Sequence, residues 1–194
     1  MANLTFIYGA MGAGKTISLI KDAYNYEKNG HKVLVVKPNV DTKGGSKIVT
    51  RIGLQREVDL WLEKNEYIEK IITKKKLKEY AVIFVDEAQF LTPKQIEELW
   101  MISKDYDIPV NCYGLKTDFS SKFFVGSKRI YELADNFEEL RIQCVCGKDA
   151  KFNARKVNGE FVSKGSSVVI DGKHDNVEYV PLCPKCYRKN VLRK

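Results

Sequence analysis

Leu4-Thr5-Phe6-Ile7-Tyr8 runs straight into Gly9-Ala10-Met11-Gly12-Ala13-Gly14-Lys15-Thr16, and Ile17-Ser18-Leu19-Ile20-Lys21-Asp22-Ala23-Tyr24 follows. The first five residues form a short apolar run and read as a strand. The next eight satisfy G-x-x-x-x-G-K-[ST] at every fixed position. The last eight carry apolar residues at helical spacing, and Asn29-Gly30 ends that helix. A strand, a glycine-rich turn and a helix are the context in which this motif cradles phosphate. Glycines let successive N–H groups turn inward around an anion, and the helix adds its positive dipole end. Lys15 would place a positive charge near the β- and γ-phosphates of ATP. Thr16 would offer a hydroxyl to Mg²⁺.

Lys32-Val33-Leu34-Val35-Val36-Lys37 is a second strand bounded by Pro38. Strand, helix, strand in so short a span is a βαβ unit, which implies a parallel sheet. Residues Asp41 to Arg51 hold Gly44-Gly45-Ser46 without periodicity and read as a loop. Val58 to Ile72 reads as a helix, with Leu60, Trp61, Ile68 and Ile71 as core candidates. Lys74-Lys75-Lys76 reads as a solvated turn. Ala81-Val82-Ile83-Phe84-Val85 is a continuous apolar run of the kind found in strands covered on both faces. Thr92-Pro93-Lys94-Gln95 is a helix start, with Thr92 as N-cap, Pro93 at the first helical position and Gln95 able to close a capping box. Ile96, Leu99, Trp100 and Ile102 give that helix a buried stripe, and Pro109 to Leu115 is a further strand. The expected fold is therefore α/β: a P-loop, RecA-like parallel sheet flanked by helices, over residues 1–142.

The chain has 194 residues, 44% hydrophobic and 30% charged, which excludes a disordered chain and suits one domain with a small appendage. Its 33 Lys+Arg against 25 Asp+Glu give a net charge of +8, a balance suited to polyanionic partners such as nucleotides or nucleic acid. No apolar run is long enough to span a bilayer, and the start lacks the basic region of a signal peptide. A cytoplasmic location without membrane association is expected. The five cysteines should then be thiols or metal ligands.

After about Gln143 the texture changes. Cys144-Val145-Cys146-Gly147 and Cys183-Pro184-Lys185-Cys186 bracket Gly- and Lys-rich sequence with short strand-like pieces, notably Ser167-Val168-Val169-Ile170. Two cysteine pairs suit a tetrahedral sulfur site holding structural Zn²⁺, and Gly147 suits a tight knuckle. Residues 143–194 are thus expected to form a small zinc-containing domain. With four cysteines bound, no ligand position is left for catalytic water. Cys112 reads as a small buried hydrophobe, and His31 and His174 show no paired ligand spacing.

Asp86 follows four apolar residues, where a strand tip would bring its carboxylate towards Thr16 to orient Mg²⁺. Glu87, beside it, could take a proton from an attacking hydroxyl or water. Arg51, in the loop, is a candidate for neutralising transition-state charge.

Taken in order, Gly9-x-Met11-x-x-Gly14-Lys15-Thr16, Asp86-Glu87-Ala88-Gln89-Phe90, Gly114-Leu115-x-x-Asp118-Phe119 and the two cysteine pairs closely resemble the type II thymidine kinase family, over nearly the whole chain. The resemblance implies that ATP donates its γ-phosphoryl group to the 5′-hydroxyl of thymidine, and of deoxyuridine as well. It implies Glu87 as general base, Asp86 as the Mg²⁺-associated acid and Arg51 as the loop arginine near the reacting phosphate. Met11, Phe90, Leu115, Phe119 and Phe124 match positions that enclose the thymine base. Tyr179 matches the tyrosine of a lasso loop that closes over the nucleoside, with main-chain contacts around Val169. A homotetramer and feedback inhibition by dTTP are implied in the same way.

A second reading is a nucleic-acid-dependent P-loop ATPase, since Asp86-Glu87-Ala88-Gln89 looks like a helicase box and the chain is basic. Against it, a translocating helicase needs a second ATPase lobe, and the basic residues are spread out rather than set in a stripe with aromatics. A zinc-stapled regulator without catalysis is a third, opposed by the intact set of Lys15, Asp86 and Glu87.

Overall fold

The structure is a computed structural model that describes residues 1–39, 47–165 and 176–193. Strand β1 (Leu4–Tyr8) leads through the glycine-rich turn into helix α1 (Lys15–Lys28) and strand β2 (Val33–Pro38). A hairpin of β3 (Lys47–Val49) and β4 (Gln55–Glu57) precedes β5 (Leu60–Leu62). Two single-turn helices, α2 (Ile68–Ile71) and α3 (Lys74–Leu77), lead to β6 (Val82–Val85) and α4 (Pro93–Asp105). Then come β7 (Val110–Gly114), α5 (Val125–Leu133) and β8 (Asn136–Glu139). The C-terminal part holds β9 (Phe152–Val157), β10 (Glu160–Val162), β11 (Val177–Leu182) and α6 (Pro184–Tyr187).

Six strands form a parallel sheet in the order β5-β2-β6-β7-β1-β8. Its inner strands are apolar throughout because both faces are covered. Leu34, Ile83 and Val110 pack on one face with Ile96, Leu99 and Ile102 of α4 and Ile130 of α5. Val35, Phe84 and Tyr113 pack on the other with Leu19 and Ala23 of α1. Each fully buried side chain of this size contributes about 1.5–3 kcal/mol. The expected capping box starts α4: Gln95 N–H donates to Thr92 Oγ1, and Gln95 Oε1 accepts from Thr92 N–H. Trp100 is only partly buried, unlike the rest of its stripe.

The structure departs from expectation between β2 and β6. Val58 to Ile72 is not one helix. Leu60-Trp61-Leu62 instead adds an edge strand to β2, because Asp59 Oδ2 accepts from Val35 N–H at 2.8 Å and sets the pairing Val36↔Leu60. Only Ile68–Ile71 is helical. Glu98, buried on α4, caps that turn by accepting from the N–H groups of Ile68 and Glu69, both at 3.0 Å. Ile71 is 46% exposed, and Ile72 takes the core position. Part of the expected loop before Arg51 is strand β3, paired antiparallel with β4. The lysine run is exposed as expected, but it forms a helical turn anchored by buried Leu77.

A second, antiparallel sheet has the order β10-β9-β11. It carries its own small core of Cys144, Ala150, Ala154, Leu182, Cys183, Tyr187 and Val191. Among the described residues, no helix is long and apolar enough to cross a membrane.

Candidate active site and cysteine centre

The site lies beyond the carboxyl ends of β1, β2, β6 and β7, where open parallel sheets hold ligands. The turn after β1 needs glycine at two places: Gly12 (φ +83°) and Gly14 (φ +82°) are left-handed, a conformation that would strain a side chain. Gly14 is the N-cap of α1, so Lys15 and Thr16 begin the helix. Thr16 Oγ1 lies 3.5 Å from Asp86 Oδ1, just past the end of β6. Lys15 Nζ donates to the carbonyl oxygens of Gly9 (3.1 Å) and Ala10 (3.0 Å).

The charges are tightly set. Burial lowers the Lys15 pKa; Glu87 and Asp86 oppose this, whereas the positive charge of Arg51 adds to it. Arg51 itself is exposed in the turn after β3, with its charge within reach of Lys15. Asp86 is 2% exposed. Burial, then the neighbouring Glu87, pushes its carboxyl up to about 6, while Lys37 pulls the other way. Lys37 Nζ stands 3.3 Å from Asp86 Oδ2.

Glu87 adopts a left-handed backbone (φ 52°, ψ 38°) without being glycine. Such a conformation costs on the order of 1–3 kcal/mol and persists where surrounding contacts enforce it. Here Gln89 supplies one. Its Nε2 donates to Glu87 Oε2 at 2.5 Å, and its Oε1 accepts from Leu115 N–H at 3.0 Å. The amide thus links the carboxylate to the end of β7.

The aromatic residues divide. Phe90 and Phe124 meet edge to face, with centroids 5.7 Å apart. Gly126 permits this approach: a Cβ there would lie 2.6–2.8 Å from the carbonyl oxygens of Leu91, Ala88 and Gln89. Ser127 Oγ donates to Leu115 O at 2.5 Å, fixing α5 against the same loop. Phe119 is packed inward beneath the Arg155 guanidinium, 3.5 Å from the ring centroid, and its carbonyl accepts from Tyr187 OH at 2.6 Å. Met11 N–H donates to Asn153 Oδ1 at 2.7 Å, which ties the glycine-rich turn to β9. Tyr179 lies on β11, paired in register with Arg155 of β9. Val169 and the strand-like piece around it lie outside the described residues.

The sulfur atoms of Cys144, Cys146, Cys183 and Cys186 all lie within 4.8 Å of one another. Tetrahedral Zn–S bonds of about 2.3 Å place sulfurs about 3.8 Å apart, so the donor set fits that metal. Gly147 turns the first knuckle at φ +81°, and Cys183 N-caps α6. Burial pushes the Cys144 thiol up, but N–H groups of Cys146 and Cys183 outweigh it and bring it to about 7. Cys112 is fully buried in the main sheet, as expected, and burial raises its thiol to about 12.

Three site residues escape sequence reasoning. Gln89 sits inside a quoted motif but shows its role only through Leu115. Lys37 is the penultimate residue of β2, a position without a chemical signature. Asn153 acts on a residue 142 positions away, for which no local pattern exists.

Comparison with known proteins gives a family model, described as thymidine kinase, that matches residues 2–187. The thymidine kinase of Enterobacteria phage T4 is 41% identical over 187 residues, 95% of each chain. That of Albidiferax ferrireducens is 36% identical over 189 residues, 96% of this chain and 92% of the other. That of Salmonella typhimurium is 37% identical over 190 residues, 97% and 91% respectively. Among solved structures, Bacteroides Pif1 bound to ssDNA aligns with a TM-score of 0.40 at 16% identity, covering 71% of this chain and 38% of that one.

Proposed function

This chain belongs to the thymidine kinase family, and on that premise we propose the reaction and the residues that run it. The chain is an ATP:thymidine 5′-phosphotransferase, giving dTMP and ADP. The observation that carries the assignment of residues is the meeting of Lys15, Thr16, Asp86 and Glu87 at one end of the parallel sheet.

Residues Gly9 to Thr16 are the phosphate loop of a P-loop, RecA-like domain spanning 1–142. Glu87 is the general base. Its carboxylate takes the proton of the thymidine 5′-hydroxyl as that oxygen attacks the γ-phosphorus. The bond from the γ-phosphorus to the bridging oxygen breaks, and ADP leaves with the electron pair. A positioned base contributes about 10²–10⁴-fold. The hydrogen bond from Gln89 holds Glu87 in one orientation. Lys15 neutralises phosphate charge, and Arg51 approaches from the exposed turn to do the same in the transition state. Thr16 and Asp86 would hold Mg²⁺, whose oxygen-preferring chemistry fits a hydroxyl and a carboxylate 3.5 Å apart. When bound, that ion neutralises charge on the phosphates.

The four cysteines would hold Zn²⁺ as a closed structural centre at the base of a lasso domain, residues 143–194. Met11, Phe90, Leu115 and Phe124 form walls for the flat base, with Tyr179 on the lasso side. Phe119 supports the pocket from beneath, on Arg155. Deoxyuridine as a second acceptor, a homotetramer, dTTP inhibition and a cytoplasmic location belong to the same reading. A nucleic-acid-dependent ATPase is not favoured, because the relatives that match nearly end to end are named thymidine kinases.

The test is a purified-protein assay with ATP, Mg²⁺ and a panel of deoxynucleosides. ADP release that depends on thymidine is expected. Release stimulated by single-stranded DNA and indifferent to thymidine would overturn the reading.

A further inference from the structure

We propose that Lys37 is a positioning residue for the nucleotide site: it holds one carboxylate oxygen of Asp86 and thereby keeps the other turned towards Thr16. The proposal rests on reading Asp86 and Thr16 as the Mg²⁺ side of that site.

The two oxygens of Asp86 have different partners. Oδ2 faces Lys37 Nζ at 3.3 Å, and Oδ1 faces Thr16 Oγ1 at 3.5 Å. Strand pairing brings the residues together. β2 and β6 run parallel with Val36 opposite Val85, so the residues that follow this pair are Lys37 and Asp86, the latter just past the end of β6. The Asp86 backbone is fixed as well, since its N–H donates to Val36 O at 2.9 Å. On the other side, Lys37 lies opposite Trp61 of β5, and its ammonium sits 5.9 Å from the indole centroid. Strand, ring and carboxylate thus confine the lysine to one direction.

Lys15 does not duplicate this contact, since its ammonium donates to the Gly9 and Ala10 carbonyls. Among the described residues, the ion pair Asp86 makes is with Lys37. Asp86 is almost wholly buried and has a second carboxylate, Glu87, as its chain neighbour. Truncating one member of such a pair leaves the other charge uncompensated and free to rotate. The rotation that matters would take Oδ1 away from Thr16.

ADP binding measured by calorimetry over a range of Mg²⁺ concentrations tests this without turnover. Wild type, Lys37→Met, Lys37→Arg, Asp86→Asn and the Lys37→Met/Asp86→Asn pair are compared, with circular dichroism to verify folding. In wild type, Mg²⁺ should tighten ADP binding. In Lys37→Met that gain should shrink by about 10- to 100-fold, the lower range reflecting the partial exposure of the lysine. Mg²⁺-free ADP affinity should change by less than about threefold, and Lys37→Arg should restore most of the gain. In the Asp86→Asn background, Lys37→Met should add little, as expected for residues that act as a unit.

Equal weakening with and without Mg²⁺ would make Lys37 a phosphate contact and overturn the proposal. So would a full Lys37→Met effect in the Asp86→Asn background, or a Lys37→Arg variant as impaired as Lys37→Met. Mg²⁺-dependent binding that Lys37→Met leaves unchanged would sink this proposal and spare the site reading. Wild-type binding indifferent to Mg²⁺ would sink both.

Discussion

Replacing Gly126 with alanine probes how helix α5 sets the proposed base-binding wall. The added Cβ would sit 2.6 Å from Leu91 O and 2.8 Å from the carbonyl oxygens of Ala88 and Gln89. Carbon and carbonyl oxygen settle no closer than about 3.3 Å, so the helix must retreat by about 0.7 Å. No flexible side chain can yield in its place, because all three contacts are backbone. Overpacking of this kind costs about 1–3 kcal/mol, against which alanine in a helix returns at most about 1 kcal/mol over glycine. A net loss of about 1–2 kcal/mol should lower the melting temperature by roughly 2–8 °C in a chain of this size. The retreat would also stretch the bond from Ser127 Oγ to Leu115 O and part Phe124 from Phe90. Scanning calorimetry reads the first effect, and initial-rate kinetics the second. Thymidine KM should rise while ATP KM stays near wild type, since Lys15 and Thr16 stand on a different element. A variant at least as stable as wild type, with thymidine KM unaltered, would show that the close approach at Gly126 does not set this wall.

Two further changes test the supporting structure. Cys183→Ser should lower the zinc content measured by atomic absorption and weaken thymidine binding more than ATP binding; unchanged metal content would contradict the sulfur site. Glu98→Ala removes the acceptor for two backbone N–H groups held at 3.0 Å, and should cost about 2–4 kcal/mol in urea unfolding. Glu98→Gln, which keeps one acceptor oxygen, should lose less; equal losses would show that the cap is not the cause.

The parallel sheet and the phosphate-side residues are legible in the sequence because their signals are local. Eight consecutive residues carry the Gly9–Thr16 turn, and the run Ala81–Val85 points directly at Asp86. Thr92 and Gln95 announce α4 for the same reason: a capping box is written within four residues. Leu60-Trp61-Leu62 misleads because its apolar spacing fits a helix, and what makes it a strand is a carboxylate on Asp59 reaching across to β2. Propensity there yields to a tertiary contact. Ile71 and Ile72 exchange places between surface and core as a consequence. The proposed base pocket is legible only through family resemblance, since aromatics in a pocket and aromatics in a core share one sequence signal. Phe119 makes the point, packed inward under Arg155. Lys37, Gln89 and Asn153 become visible only once strands distant in sequence lie side by side.

In the proposed reaction the Glu87 carboxylate takes the proton as the phosphoryl group moves. Rapid-quench single-turnover measurement of dTMP formation, with enzyme in excess, compares wild type with Glu87→Gln at saturating ATP and Mg²⁺. A fall in the chemical step of about 10²–10⁴-fold, with ATP binding preserved, is the expected result. A Glu87→Gln rate within a few-fold of wild type would contradict it.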